Sequence, residues 1–392
     1  MRALAHRLST AGKPFDSWLL LATTALLAIG WVMVTSASTE VAAGLTGNPF
    51  YFSIRHGAYI VIALLIALVA FRFPLAWWHA YGPWLLMLGF FLLVLVLVVG
   101  PEINGSKRWI PLGPINIQAS EVAKLFLIVY TAGYLERFLP GVRRRWWEFI
   151  KPLVIMIPLG VLLILEPDYG ALVVMTACVM GMLLLAGAPL MRFILLMIAV
   201  VALGGYVAVA EPYRLERITS FANPWADMYD SGYQLTQALI AFGRGHWFGL
   251  GLGDSVQKLF YLPEAHTDFV FAVIAEELGL VGAVTVISLF ALLIYRALVI
   301  GRRAELARLP FAAYLSYGIA LVLGAQAFIN IAVSTGMLPT KGLTLPLLSY
   351  GGSSLVVSCV MVALLLRVDI ETRQVRPVKP PPGKIVQGAP KQ

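Results

Sequence analysis

The residues best suited to proton transfer lie between Pro263 and Asp268, where Glu264, His266 and Asp268 fall within six positions and Lys258 stands just upstream. Asp268 precedes a long apolar run, so a helix-capping carboxylate is its plainest reading. Its neighbours give it the company a general base needs. Three further carboxylate sites lie in or beside apolar runs, where ionisable groups are costly and mark function. Glu121 and Lys124 are three residues apart and share one helix face, where they neutralise each other as a structural pair or as part of a site. Glu276 and Glu277 are adjacent, about 100° apart around a helix, so a single cavity receives only one of them. Asp168, after Glu166 and Pro167, opens another apolar run, where a carboxylate caps the backbone and favours the helix dipole.

The elements that position these residues are membrane spans. Of 392 residues, 60% are hydrophobic and 12% charged, and the mean hydropathy is +0.84, a balance no soluble core of this size requires. A span takes roughly 20 apolar residues. Ten runs qualify, beginning near Ser17, Arg55, Trp78, Ser120, Pro152, Asp168, Leu190, Phe269, Phe311 and Leu345. The expectation is an all-α, polytopic membrane protein with ten transmembrane helices. The first run follows Arg2, Arg7 and Lys13 and ends in small residues at Thr35 to Ser38, but it exceeds the roughly 7–15 residues of a signal-peptide core and reads as helix 1. Ten spans put both termini on one side, where twenty of the 29 Lys and Arg residues fall, against eight opposite, with Lys124 inside a span. The positive-inside rule makes that side cytoplasmic. The pI of about 9.6 then reflects topology and contact with anionic membrane lipids, and no nucleic-acid motif argues otherwise. The outward cations are Arg55, Lys107, Arg108, Arg214, Arg217, Arg244, Lys258 and Lys341. Such a set suits an anionic head group, since Arg and Lys make charge-assisted bonds to phosphate oxygens, and phosphate at a membrane surface points to a lipid carrier.

The chain divides into a cytoplasmic N-terminus (1–16), a transmembrane domain (17–368) and a tail (369–392) whose Pro377, Pro380, Pro381 and Pro382, with Lys379 and Lys384, mark disorder. The outward loop 211–268 is longer than packed helices need, and long loops on rigid scaffolds carry function. Within it, Gly232 to Phe242 has Leu235, Leu239 and Phe242 at helical spacing, which suggests an amphipathic helix on the membrane surface. The glycines of GRGHWFGLGLG (243–253) lack the preceding strand and βαβ context of a dinucleotide site. Ser255 to Lys258 matches S-x-x-K, but the S-D-N and K-T-G partners of that acyl-transfer motif are missing from the chain. Cys178 and Cys359 fall in apolar spans and read as small hydrophobes, without disulfide or metal. The five histidines show no zinc-ligand spacing.

Several segments together resemble the SEDS proteins (shape, elongation, division and sporulation), a family of ten-helix peptidoglycan polymerases. They are GSKRWIPLGPINIQASEVAK (105–124), EPDYG (166–170), GYQLTQALIAFGRG (232–245), QKLFYLPEAHTDFVFAVIAEELG (257–279), Asn330 and GMLPTKGLTLPLLSYGGSS (336–354), within a likeness over about residues 15–370. The run from Gln257 through Asp268 is closer to the cell-division branch than to the elongation branch. Two positions depart from the pattern, Ala119 where proline is common and Ala238 where serine is common, and neither is a proposed catalytic group.

The resemblance implies that the substrate is lipid II, that the product is an uncrosslinked glycan strand for the division septum, and that Asp268 is the essential aspartate. It likewise makes Glu121 and Lys124 functional, and implies a multi-pass protein of the bacterial inner membrane working with a class B penicillin-binding protein and other division proteins. A glycosidase needs a second carboxyl group to protonate its leaving oxygen, whereas a diphosphate departs as a stable anion, so cations can replace the acid. The expected roles are Asp268 as general base towards the acceptor hydroxyl, and Glu121, Lys124, Lys107, Arg108, Arg214, Arg217, Arg244, Lys258, His266 and Lys341 around the substrate and its diphosphate. A divalent cation, Mg or Mn, is an open candidate for sharing that charge. Two other classes fit the same composition: a flippase carrying lipid II outward, and a division scaffold without chemistry of its own.

Overall fold

A computed structural model describes residues 15–103, 105–112, 115–209, 221, 223–226, 228, 232–259, 261–340 and 342–375. The expected tail is described only as far as Val375, and residues 1–14 of the N-terminal segment lie outside the described residues. Each of the ten apolar runs forms a helix: α1 (Ser17–Thr46), α2 (Tyr51–Arg72), α3 (Leu75–Val99), α4 (Ala119–Arg144), α5 (Trp146–Leu165), α6 (Tyr169–Leu185), α7 (Leu190–Val209), α9 (Val270–Leu306), α10 (Pro310–Ser334) and α11 (Gly352–Gln374), with α8 (Tyr233–Gly245) between α7 and α9. Eight of them, α1 to α5 and α9 to α11, are long and apolar enough to cross a bilayer. The other two of the ten fall short of that measure, α6 with 17 residues and α7 with its apolar stretch Leu190–Ala199. The protein is thus a predominantly helical, multi-pass membrane protein with eight spans by this measure against the ten expected.

Helices α4, α10 and α11 make the centre of the bundle: 56%, 67% and 78% of their most apolar windows are buried by protein, against 22% for α2. Lipid offers apolar chains as readily as a neighbouring helix does, so close packing at small residues drives the association. Gly318 of α10 is such a point. A Cβ there would lie 2.4 Å from Ile128 of α4 and 2.9 Å from the sulfur of Met182 on α6. Asp16 caps α1, accepting from the Leu19 amide at 3.1 Å, and is also ion-paired with Arg296 and, at 3.8 Å, with Arg303 of α9. Arg303 reaches Asp369 of α11 at 3.6 Å, so one charge cluster ties three helices.

Three features differ from expectation. Residues 109–112 and 115–118, before α4, form two antiparallel strands, β1 (Trp109–Leu112) and β2 (Ile115–Gln118), registered Trp109 to Gln118 and Ile110 to Ile117. The last helix starts at Gly352, seven residues later than the expected Leu345, because Leu343 and Leu345 to Ser349 fold as an irregular segment buried in protein. Helix α11 also continues to Gln374, past the expected boundary at 368. Finally, α8 turns Leu235, Ala238 and Ala241 inward and sets Phe242 5.8 Å from Phe271 of α9, so its apolar side meets the bundle rather than the membrane surface.

Candidate active site

Asp268 ends a tight turn that leads into α9. Glu264 adopts φ 57°, and its carbonyl accepts from the amides of Thr267 (3.1 Å) and Phe269 (3.3 Å), while its carboxylate accepts from the Thr267 hydroxyl at 2.7 Å. From α10, the Asn330 amide donates to the carbonyls of Asp268 (2.7 Å) and Leu343 (2.6 Å), joining the turn to the irregular segment before α11. The Tyr350 amide donates to the His266 carbonyl at 3.0 Å, and the His266 ring lies 4.9 Å from that of Phe52 and 5.6 Å from that of Tyr350. The backbone of Asp268 is thus fixed from two sides. Its carboxylate accepts no hydrogen bond from the described residues. The chain at Gly342 passes so close that a Cβ there would sit 2.9 Å from Asp268 Oδ2.

Arg108, at the foot of hairpin β1–β2, acts electrostatically on this carboxylate. The guanidinium donates to the carbonyls of Glu166, at 3.3 Å, and Pro167, at the α5–α6 corner. Asp168 caps α6 as expected, accepting from the Ala171 amide at 3.2 Å, and its second oxygen accepts from Ser120 (2.7 Å) and Gln118 (3.3 Å). Although Asp268 keeps a partly open face, the atoms crowding it raise its pKa from 3.8 to about 7; the charges of Glu264 and Asp168 raise it as well, and among the described residues Arg108 opposes them. Burial pushes Glu166 up to about 8, with Asp168 adding and Arg108 opposing. His266 is lowered by burial against an upward pull from Glu264. The arrangement offers a carboxylate of near-neutral proton affinity that accepts no hydrogen bond from the described residues and feels the charge of the Arg108 guanidinium.

The other expected site residues divide into three groups. Glu121 and Lys124 form a sealed pair, Nζ to Oε1 2.7 Å, with side chains 5% and 0% exposed, and Gln326 approaches Glu121 at 3.5 Å. Replacing Lys124 by Met leaves a buried, uncompensated carboxylate and should cost ~3–5 kcal/mol of stability. Thermal unfolding checks this, and Glu121→Gln added to Lys124→Met should recover most of the loss. Lys258 and Arg244, expected as cations for a diphosphate, are already engaged by the two glutamates of α9. Lys258 donates to Glu277 (2.8 Å), Ser36 (3.0 Å) and the Gly253 carbonyl (2.6 Å), using all three protons of the ammonium group. Arg244 pairs with Glu276 at 3.2 Å. Lys107 is half-buried beside Arg108, and Arg214, Arg217 and Lys341 lie outside the described residues.

Glu276 also accepts from the Ser255 hydroxyl and from the amides of Val256 (3.2 Å) and Gln257 (3.3 Å). The two glutamates therefore point to different partners, as their adjacency requires, and both bolt the loop to α9. Sequence reasoning missed Asn330 as the anchor of the turn. It also missed the break of α9 at Gly279, whose φ 66° and ψ −165° are not helical. A glycine shortly after two glutamates was the available signal. Among the described residues no three of His, Cys, Asp and Glu gather as metal ligands.

Known proteins give the same outline. The family described as "Cell cycle protein", which groups FtsW, RodA and SpoVE, matches residues 17–374. A probable peptidoglycan glycosyltransferase FtsW from Halomonas elongata is 71% identical over 375 residues, 95% of each chain. Its namesake from Hahella chejuensis is 54% identical over 366 residues, 93% of this chain and 92% of that one. Among solved structures, a chain from "Structural coordination of polymerization and crosslinking by a peptidoglycan synthase complex" superposes with a TM-score of 0.76 at 31% identity, covering 92% of this chain and 99% of that one. The rod shape determining protein RodA of Thermus thermophilus superposes at 0.68 with 28% identity, covering 92% and 98%. The family match spans the Arg108 hairpin, the α5–α6 corner and the Asp268 turn, and the chain belongs to the FtsW/RodA/SpoVE family, the SEDS proteins its motifs resemble.

Proposed function

We propose that this chain is a peptidoglycan glycosyltransferase that polymerises lipid II into glycan strands for the septal wall of dividing cells. Its high identity to probable FtsW glycosyltransferases supports the activity. The observation that carries the mechanism is the Asp268 carboxylate, to which no described residue donates a hydrogen bond and whose pKa is raised to about 7. Asp268 takes the proton of the acceptor's 4-hydroxyl as that oxygen forms its bond to the donor's anomeric carbon. The bond from that carbon to the diphosphate breaks, and its electron pair leaves on the diphosphate. Attack opposite the leaving group inverts the anomeric centre. Arg108, with Lys107 beside it, neutralises the departing anion, and no acid is needed. The partner is a class B penicillin-binding protein that crosslinks the strands, in line with the synthase complex whose chain superposes on this one. The protein lies at the septum with both termini in the cytoplasm.

The test is polymer formation from purified lipid II by the protein with its transpeptidase, alongside lipid II transfer across vesicle membranes. Polymer without accelerated transfer is expected; transfer without polymer would make the protein a flippase. The pH profile supplies a second check. A base must be deprotonated, so kcat/KM should rise roughly tenfold per pH unit below the pKa and level off above about 7. Arg108→Met removes a cation that lowers the Asp268 pKa, so the midpoint should move to higher pH; a profile identical to wild type would count against Asp268 as the titrating group.

A further inference from the structure

The glycine-rich segment between α8 and the acidic turn has a register against α9 that fixes its depth. The carbonyls of His246 and Trp247 accept from the amides of Leu280 (3.0 Å) and Val281 (3.2 Å), and the amides of Leu250 and Gly251 donate to the carbonyls of Glu276 (3.0 Å) and Glu277 (3.1 Å). With Gly249 donating to the Gly245 carbonyl at 2.8 Å, residues 245–251 satisfy five hydrogen bonds without water. This register holds Trp247 and Phe248 at the level where α9 changes character. Val270 to Glu277 are all buried by protein, whereas Leu280, Val281, Val284 and Ile287 are exposed as the lipid face of the helix. Trp247 and Phe248 are 68% and 83% exposed, and Leu250 and Leu252 continue the apolar edge, with Arg244 and His246 exposed beside them.

We propose that this segment is re-entrant and that Trp247 and Phe248 insert into the outer-leaflet interface, with a phospholipid surface as their binding partner. Two properties favour lipid over a protein partner. Irregular backbone tolerates a low-polarity medium better the more of its N–H and C=O groups are already paired, as the carbonyls of Gly245, His246 and Trp247 and the amides of Gly249, Leu250 and Gly251 are here, and the aromatic pair is continuous with the lipid face of α9. An apolar tip flanked by Arg and His is the composition of an interfacial anchor. Because the same loop is clamped by Glu276 at residues 255–257 and by Glu277 at Lys258, the anchor sets the height of the approach to the acidic turn relative to the bilayer.

The test uses the full chain in lipid nanodiscs, with a nitroxide at Phe248→Cys and, in a separate protein, at Trp247→Cys, so that one misfolded variant does not decide the result. The native thiols of Cys178 and Cys359 are buried. Collision of each label with oxygen and with a water-soluble nickel chelate is compared with labels at Val284→Cys on the lipid face and Glu102→Cys on an exposed loop. The oxygen-to-nickel ratio at 248 and 247 should exceed that at 102 by several-fold and approach that at 284. A ratio equal to that at 102 overturns the proposal. So does a label that stays water-accessible until the transpeptidase partner is added and then becomes immobile, which would mark a protein-docking surface.

Discussion

Exchanging Asp268 for Asn is expected to lower the rate of glycan polymerisation from lipid II by roughly 10²–10⁴-fold, the range a positioned general base contributes. The substitution keeps the shape of the side chain, and because the described residues donate no hydrogen bond to the carboxylate, none of their contacts is lost. The turn is held by main-chain bonds to Glu264 and by Asn330, which the Asp268→Asn exchange leaves in place. Stability should move the other way. A carboxyl whose native pKa is raised from 3.8 to about 7 binds its proton more tightly folded than unfolded, so it contributes stability at low pH that is lost as pH rises through about 7. Above that pH the ionised group costs up to ~4 kcal/mol, and a neutral amide removes the cost. The variant should therefore melt no lower than wild type at pH 8 while failing to make polymer. Polymerisation within tenfold of wild type would place the base elsewhere.

That separation of activity from stability was partly legible in the sequence. Ten apolar runs of helical length stood out because a span must be continuous to cover the hydrocarbon core, and α8 stood out because its leucines repeat at helical spacing. Asp168 as a cap followed from its place before an apolar run. The pairing of charges was not legible. Lys258 and Arg244 looked like free outward cations, yet Glu277 and Glu276 neutralise them, and only the folded contacts decide which carboxylate meets which cation. Arg108 acts electrostatically on Asp268 across 160 residues of sequence, from the foot of a hairpin whose four-residue strands are too short to show a period. The segment Leu345 to Ser349 reads as the start of a span because hydropathy registers transfer from water and does not distinguish lipid from protein as the destination.

Gly279→Ala is expected to have the second large effect, through the loop rather than the chemistry. Gly279 sits at φ 66°, ψ −165°, a region essentially restricted to glycine, where another residue carries ~1–3 kcal/mol of strain. A Cβ there would lie 2.3 Å from the Gly249 nitrogen and 2.6 Å from both the Phe248 nitrogen and the Trp247 carbonyl carbon, all backbone atoms that cannot rotate away. Two outcomes compete. If the break persists, segment 246–251 must leave α9 and four hydrogen bonds between them are lost, each worth ~0.5–1.5 kcal/mol. If α9 becomes continuous instead, the amides of Leu280 and Val281 turn back to the carbonyls of Glu276 and Glu277, and the loop is evicted all the same. Either way Ser255, Val256 and Gln257 lose their register on Glu276, and the approach to Asp268 is no longer fixed. Polymerisation should therefore fall to near background although the apolar spans still insert, and protease should cut between Gly245 and Leu259 where the wild type resists. Gly243, two residues before the end of α8 and with no atom within 4 Å of an added Cβ, provides the control: Gly243→Ala should keep activity and gain ~0.5–1 kcal/mol from helix propensity. Wild-type activity and protease resistance in Gly279→Ala would mean that the broken helix is not what holds the loop.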